Sequence, residues 1–225
     1  MDTIQKHLSA TLLPLYSIKE EIVNSILHGI GTAAAIAGLV LLYLKTGGVL
    51  SGDRAGNLEI AASIIFAATM TGMFLISTLY HAIQYRSAKD ILRRLDHSII
   101  FVFIAGTYTP ICLIGIGGVW GWSLFFVQWS LALLGIILKV LCFKPLKKVQ
   151  VAIYIIAGWI IVVGFVPLLR SVPLLSIILL FTGGIVYTLG TIWYRRKNIR
   201  FTHAIWHVFV MLGAVFHWFS VWFLY

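Results

Sequence analysis

Seven apolar runs divide this chain, at roughly 22–44, 58–84, 95–115, 118–141, 150–169, 172–194 and 203–225. Each is about 20 residues or slightly longer, and at 1.5 Å of rise per residue that covers about 30 Å of hydrocarbon. Inside lipid the backbone polar groups must be satisfied within each segment, so each run is expected to be a helix. Only 11% of the residues are charged, against about 25% in a soluble domain. With a mean hydropathy of +1.00, the chain has too few polar side chains to cover a water-facing surface. It reads as an all-α membrane protein of seven transmembrane helices. A single domain is expected over 22–225, preceded by a short N-terminal segment, 1–21. "GIGGVWGW" (115–122) leaves almost no loop between the third and fourth runs.

The net charge of +10 does not point to nucleic acid, because the basic residues sit in short loops between apolar runs and form no continuous stripe. Their distribution between the two sides is the informative feature. Lys6, Lys19, Arg86, Lys89, Arg93, Arg94, Lys139, Lys144, Lys147, Lys148, Arg195, Arg196, Lys197 and Arg200 fall on one side, and only Lys45, Arg54 and Arg170 on the other. The positive-inside rule then places the N-terminus in the cytoplasm and the C-terminus outside, which fits an odd number of spans. Trp120, Trp122, Trp193, Tyr194, Trp222 and Tyr225 fall near span ends, in keeping with interfacial belts. Cys112 and Cys142 are placed toward opposite faces, so no disulfide is expected. No cleavable signal peptide is evident: the first apolar run follows Glu20 and Glu21 and is long enough to span.

Ionisable residues inside a membrane are costly and mark function by default. Several gather at one depth, toward the cytoplasmic rim: His28 in "NSILHGIG", His81 in "STLYHA", Asp96, and His203 and His207 in "HAIWH". Histidines at i and i+4 stand one above the other on a helix face. A third histidine from another helix completes a three-ligand zinc site with its fourth position left for water, and His81 lies at the right depth. Imidazole donors suit zinc. Ser77, one turn from His81, is placed to bond the water or a substrate oxygen. Asp96 is placed to orient a ligand or to take a proton, and His28 is a supporting candidate behind the ligands. The competing reading is a set of rim histidines reaching to headgroups, with Asp96 paired to Arg93 or Arg94. His217 lies about 15 Å along the helix from His207, too far to share an ion, and reads as a packing or outer-cavity residue. His97 and His7 are assigned no role.

The stretches "EEIVNSILHGIG" (20–31), "STLYHA" (77–82), "LDHSIIFVFIAGTYTP" (95–110) and "HAIWHVFVMLGAVFH" (203–217) resemble the haemolysin III proteins, relatives of the progestin and adipoQ receptors. With the length and the seven-span layout, the resemblance covers essentially the whole chain. It implies zinc near the cytoplasmic side, bound by His81, His203 and His207. It also implies that Asp96 holds the water at the metal and that Ser77 stands at the family's serine position. The wider superfamily includes alkaline ceramidases, which implies a zinc-dependent hydrolase of lipid amides. Bacterial members of the family are linked to membrane lipid and energy homeostasis, and one branch to pore-forming cytolysis. The long N-terminal region of the animal receptors is lacking, so no protein hormone is expected as a partner.

Three functions follow as expectations. The first is an intramembrane zinc hydrolase in the cell membrane, acting on membrane lipids, with Asp96 as base or water anchor, Ser77 assisting at the oxyanion, and close helix approach at Gly29, Gly31 and Ala33 to Ala35. The second is a homeostasis sensor in which zinc is structural. The third is a pore former, against which every span reads as a resident membrane helix.

Overall fold

The computed structural model describes residues 16–141, 150–196 and 199–225. Lys6, His7, Cys142, Lys144, Lys147, Lys148 and Lys197 lie outside the described residues. Seven helices there are long and apolar enough to cross a membrane. They are α1 (Ile18–Thr46), α2 (Asn57–Ala82), α3 (Arg86–Pro110, widening into a π-helix at Ile111–Ile116), α4 (Gly118–Leu141), α5 (Gln150–Ser171), α6 (Leu174–Tyr194) and α7 (Thr202–Trp222). The pattern of a soluble protein is inverted: Ile22, Ile26 and Ile30, one turn apart on α1, are exposed, whereas Glu21, Asn24 and His28 are buried. This is the arrangement expected when lipid is the solvent.

Neighbouring helices follow the chain from α1 to α4, and α7 packs between α6 and α1 to close the ring. α5 is the most lightly held span, touching α3, α4 and α6. α3 is the central helix, with 67% of its apolar stretch buried against 22–44% for the others. α1 and α7 are parallel and joined at both ends. The Phe201 N–H donates to Glu20 Oε1 at 2.9 Å where both helices start. Where both end, Lys45 Nζ donates to the Trp222 carbonyl at 2.5 Å. Residues 16 and 225 are therefore at opposite ends of the bundle. Glu20 also forms a capping box with Ser17, satisfying N–H groups that a helix start leaves free. Of the small residues expected to allow close approach, Gly31 and Ala35 are buried, while Ala33 and Ala34 face outward.

Two local features depart from the sequence reading. The basic stretch 85–95, expected as a loop, is the first turns of α3. Lys89 from those turns reaches back to the end of α2, donating to the Tyr80 carbonyl at 3.1 Å. A cation there is favoured by the partial negative charge of a helix C-terminus. The fifth run, expected as one regular helix, contains a 3₁₀ turn at Ile160–Gly164. Backbone groups freed by such a break need partners inside a membrane, and neighbouring helices supply them. The Tyr108 hydroxyl on α3 donates to the Gly158 carbonyl at 2.8 Å and accepts from the Ile161 N–H at 3.0 Å. Gln128 on α4 donates to the Ala157 carbonyl at 2.8 Å. The abrupt α3–α4 reversal rests on Gly117 and Gly118, with φ of 65° and 54°, a region open to glycine at little cost.

Tyr108→Phe removes one oxygen but leaves a donor and an acceptor of α5 unpaired inside the bundle. The expected loss is about 1–3 kcal/mol of stability, read as a lower melting temperature in mild detergent. A Tyr108→Phe protein as stable as wild type would show that α5 does not need this partner.

Candidate metal centre

The polar groups of four helices meet at the end of the bundle where α1, α3 and α7 begin and α2 finishes. His81 projects from the last turn of α2, and His203 and His207 from the first two turns of α7. The ligand-capable nitrogens of these three rings all lie within 4.8 Å of one another. Ring centroids are 4.4 Å apart for His203 and His207, and 5.0 Å for His81 and His207. The Nε2 atoms of His81 and His207 stand 3.2 Å apart. Two imidazole nitrogens bound at about 2.0–2.1 Å to one tetrahedral zinc are separated by roughly 3.3 Å, so this donor pair fits such an ion.

The wiring behind the rings adds to the fit. His81 Nδ1 lies 2.6 Å from Glu21 Oε2. Glu21 Oε1 is paired at 2.8 Å with Lys89 Nζ. A carboxylate only accepts, so Nδ1 carries the proton and Nε2 presents its lone pair to the centre. A carboxylate behind a ligating histidine is the usual means of fixing its tautomer and orientation. His207 is held in a similar way, with Nδ1 against His28 Nε2. His28 Nδ1 is buried without a partner. On the other flank of the site Tyr16 stacks on His203, with centroids 4.7 Å apart and planes at 19°.

Glu21 was not singled out by its sequence context, where it stands beside Glu20 just ahead of an apolar run. A signal was present. Glu21, Asn24, His28, Gly31 and Ala35 recur at three- and four-residue spacing and form one buried stripe of α1. The adjacent Glu20 points elsewhere, to the start of α7.

Asp96, in the third turn of α3, stands beside the rings. Ser77 lines the same end of the cavity, and Ser77, His81 and Lys139 are polar groups in the surroundings of its carboxyl. Arg93 pairs with Asp90 at 2.8 Å. Lys139, counted among the loop charges in the sequence, is buried on α4 against Gln150. Ser77 itself is buried, so its hydroxyl is shielded from competing water.

Ser77, Asp96, His28, His203 and His207 line one end of a cavity of about 140 Å³. Its walls are mostly apolar and aromatic, including Phe103, Tyr108 and Trp159, and it continues between α3, α5, α6 and α7 as far as His217. His97 also lines it. His217 is therefore remote from the three rings along its helix but opens onto the same space. A polar cluster thus stands at one end of an elongated, mostly apolar cavity.

Glu21→Gln keeps the shape of the side chain behind His81 and removes its charge. Zinc affinity is expected to fall about 10- to 100-fold, measured by competition with a chromophoric chelator on purified protein. Unchanged affinity would separate Glu21 from the metal centre.

The family model described as "Haemolysin-III related" matches residues 16–218. The "Hemolysin-3 homolog" of Bacillus subtilis (strain 168) is 41% identical over 207 residues, covering 92% of this chain and 95% of that protein. The "Hemolysin-3" of Bacillus cereus is 37% identical over 205 residues, covering 91% of each. The human "Monocyte to macrophage differentiation factor" is 28% identical over 210 residues, covering 90% of this chain and 83% of that protein. No solved structure matches. With a family match reaching from the start of α1 almost to the end of α7, and close relatives aligned over nearly their whole length, this multi-pass membrane protein belongs to the haemolysin-III-related family.

Proposed function

We propose that the protein is a zinc-dependent hydrolase of lipid amides that serves membrane lipid homeostasis. The observation that carries this reading is the position of the three-histidine cluster, two of whose rings, His203 and His207, line one end of an apolar cavity together with Asp96 and Ser77. In this reading His81, His203 and His207 hold zinc, which when bound polarises a carbonyl and lowers the pKa of water toward 7. Glu21 keeps the proton on His81 Nδ1, so that Nε2 remains a ligand. Asp96 takes the proton from the attacking water and returns it to the leaving amine. The Ser77 hydroxyl shares the cavity wall with the Asp96 carboxyl. From there it assists at the oxyanion or bonds the water. The apolar walls exclude bulk water and take the acyl chain.

A second reading has zinc in a purely structural role within a membrane sensor. It is favoured by the number of elements the cluster ties together, since Glu21, His28, His81, Lys89 and His207 link α1, α2, α3 and α7. Cytolysis enters through the names of the Bacillus relatives. It would require leakage from liposomes that persists in the histidine variants. Under all three readings we place the N-terminus in the cytoplasm and the protein in the plasma membrane, on the asymmetry of its basic residues.

Two substitutions separate hydrolase from structural site. His207→Ala is expected to abolish both bound zinc, about one ion per chain in wild type, and lipid-amide turnover. Asp96→Asn is expected to keep the zinc and lower turnover by about 10²- to 10⁴-fold. Metal content by elemental analysis and product release from a panel of N-acyl lipids read the two outcomes. A wild-type protein that holds zinc and turns over nothing on a broad panel would favour the structural role. Wild type without metal, purified in the absence of chelators, would sink both zinc readings.

A further inference from the structure

The far end of the cavity carries a second polar feature. His217 on α7 and Tyr187 on α6 both line it, and their rings are 5.2 Å apart at 61°. His217 Nε2 lies 3.1 Å from the Leu180 carbonyl oxygen. A carbonyl only accepts, so Nε2 carries the proton and Nδ1 presents a lone pair. That Nδ1 is buried without a partner, and so is the Tyr187 hydroxyl. Two unpartnered buried polar atoms are costly to leave in an apolar bundle.

Their placement is enforced by the backbone. Tyr187 lies four residues after Gly183 on α6, and His217 four residues after Gly213 on α7. The two pairs interlock. The Nε2 and Cδ2 edge of His217 rests against Gly183, and the Tyr187 ring rests against Gly213, where an added Cβ would stand 2.7 Å from Cζ. Each helix thus offers a glycine socket to the other's ring.

We infer that Tyr187 and His217 form a hydroxyl-binding subsite for a long apolar chain lying in the cavity. A hydroxyl between them accepts from the Tyr187 O–H and donates to His217 Nδ1, satisfying both orphan atoms. A carbonyl or ether oxygen on the chain satisfies only the tyrosine, because it has no proton for Nδ1. A lone water finds two partners on otherwise apolar walls, fewer than the roughly three that buried waters usually make. The subsite lies about 15 Å along α7 from His207, so the hydroxyl it selects is well removed from the ligand's head. The inference rests on the cavity taking the chain of the proposed lipid, and does not require turnover.

The test compares binding of 12-hydroxyoctadecanoic acid and octadecanoic acid to the full chain in mild detergent, followed by quenching of intrinsic tryptophan fluorescence. Trp159 and Trp206 line the cavity and report occupancy. Wild type is expected to prefer the hydroxylated chain by about three- to tenfold. Tyr187→Phe, which keeps the ring in its glycine socket, is expected to abolish the preference while octadecanoic acid binds as before. His217→Leu gives a second arm at the other partner. Equal binding of the two acids to wild type overturns the subsite and leaves the lipid cavity standing. A preference that survives both substitutions also overturns it, since the hydroxyl is then read elsewhere. If neither acid binds, the subsite falls together with the reading that the cavity takes a lipid chain.

Discussion

Within a bilayer, each polar group removed from water needs a partner inside the protein, and most of this structure follows from that requirement. It makes the seven apolar runs helical. It also determines where the bundle departs from regular helix. The 3₁₀ turn in α5 is held by Tyr108 from α3 and Gln128 from α4, which take up the backbone groups that the turn releases. The same requirement binds α1 to α7 at both ends, through Glu20 at the start and Lys45 at the finish.

At the candidate metal centre the requirement is met by coupling charges rather than by burying them singly. Glu21 faces both His81 and Lys89, and Lys89 in turn bonds the carbonyl end of α2. Separating one of these groups leaves the others unpaired in a low-dielectric environment, where an isolated charge is strongly unfavourable. The cluster therefore has two consequences. It orients three imidazoles toward a common point, and it fixes the relative positions of α1, α2, α3 and α7. A metal-loaded enzyme and a structural zinc protein would both use this arrangement, and Asp96 is the group whose chemistry differs between them.

The cavity connects that end of the bundle to a second polar pair deep in the apolar region. Most of its wall comes from α3, α5, α6 and α7, with His28 of α1 and Met73 and Ser77 of α2 at its sides, and α5 is the span with the lightest contacts to its neighbours. Under the proposed reading, polar groups at both ends of that space would measure the separation of polar groups on a bound lipid. This is a way to select among lipids whose chains are otherwise alike.

Hydropathy alone determined the class of this protein. Seven runs of about 20 apolar residues admit few solutions in lipid, so the number of spanning helices was readable without coordinates. The residues of the centre were also legible, because HxxxH fixes a helix face and few ionisable residues occur in the spans. Motifs quoted from the sequence already grouped His81, Asp96, His203 and His207 with Ser77. Tertiary structure decided their partners. Glu21 and Glu20 are adjacent and chemically identical, yet one stands behind His81 and the other caps α1 and joins α7, because successive helix positions point about 100° apart. Lys89 and Lys139 counted as loop charges in the sequence and proved to be buried partners of polar groups from other helices. His217 is too far from His207 to share an ion and reads in the sequence as a packing or outer-cavity residue. Only packing of α6 against α7 placed it beside Tyr187 on the shared cavity. Periodicity along one helix reports which face is buried, and it carries no information about which side chain of another helix will meet that face.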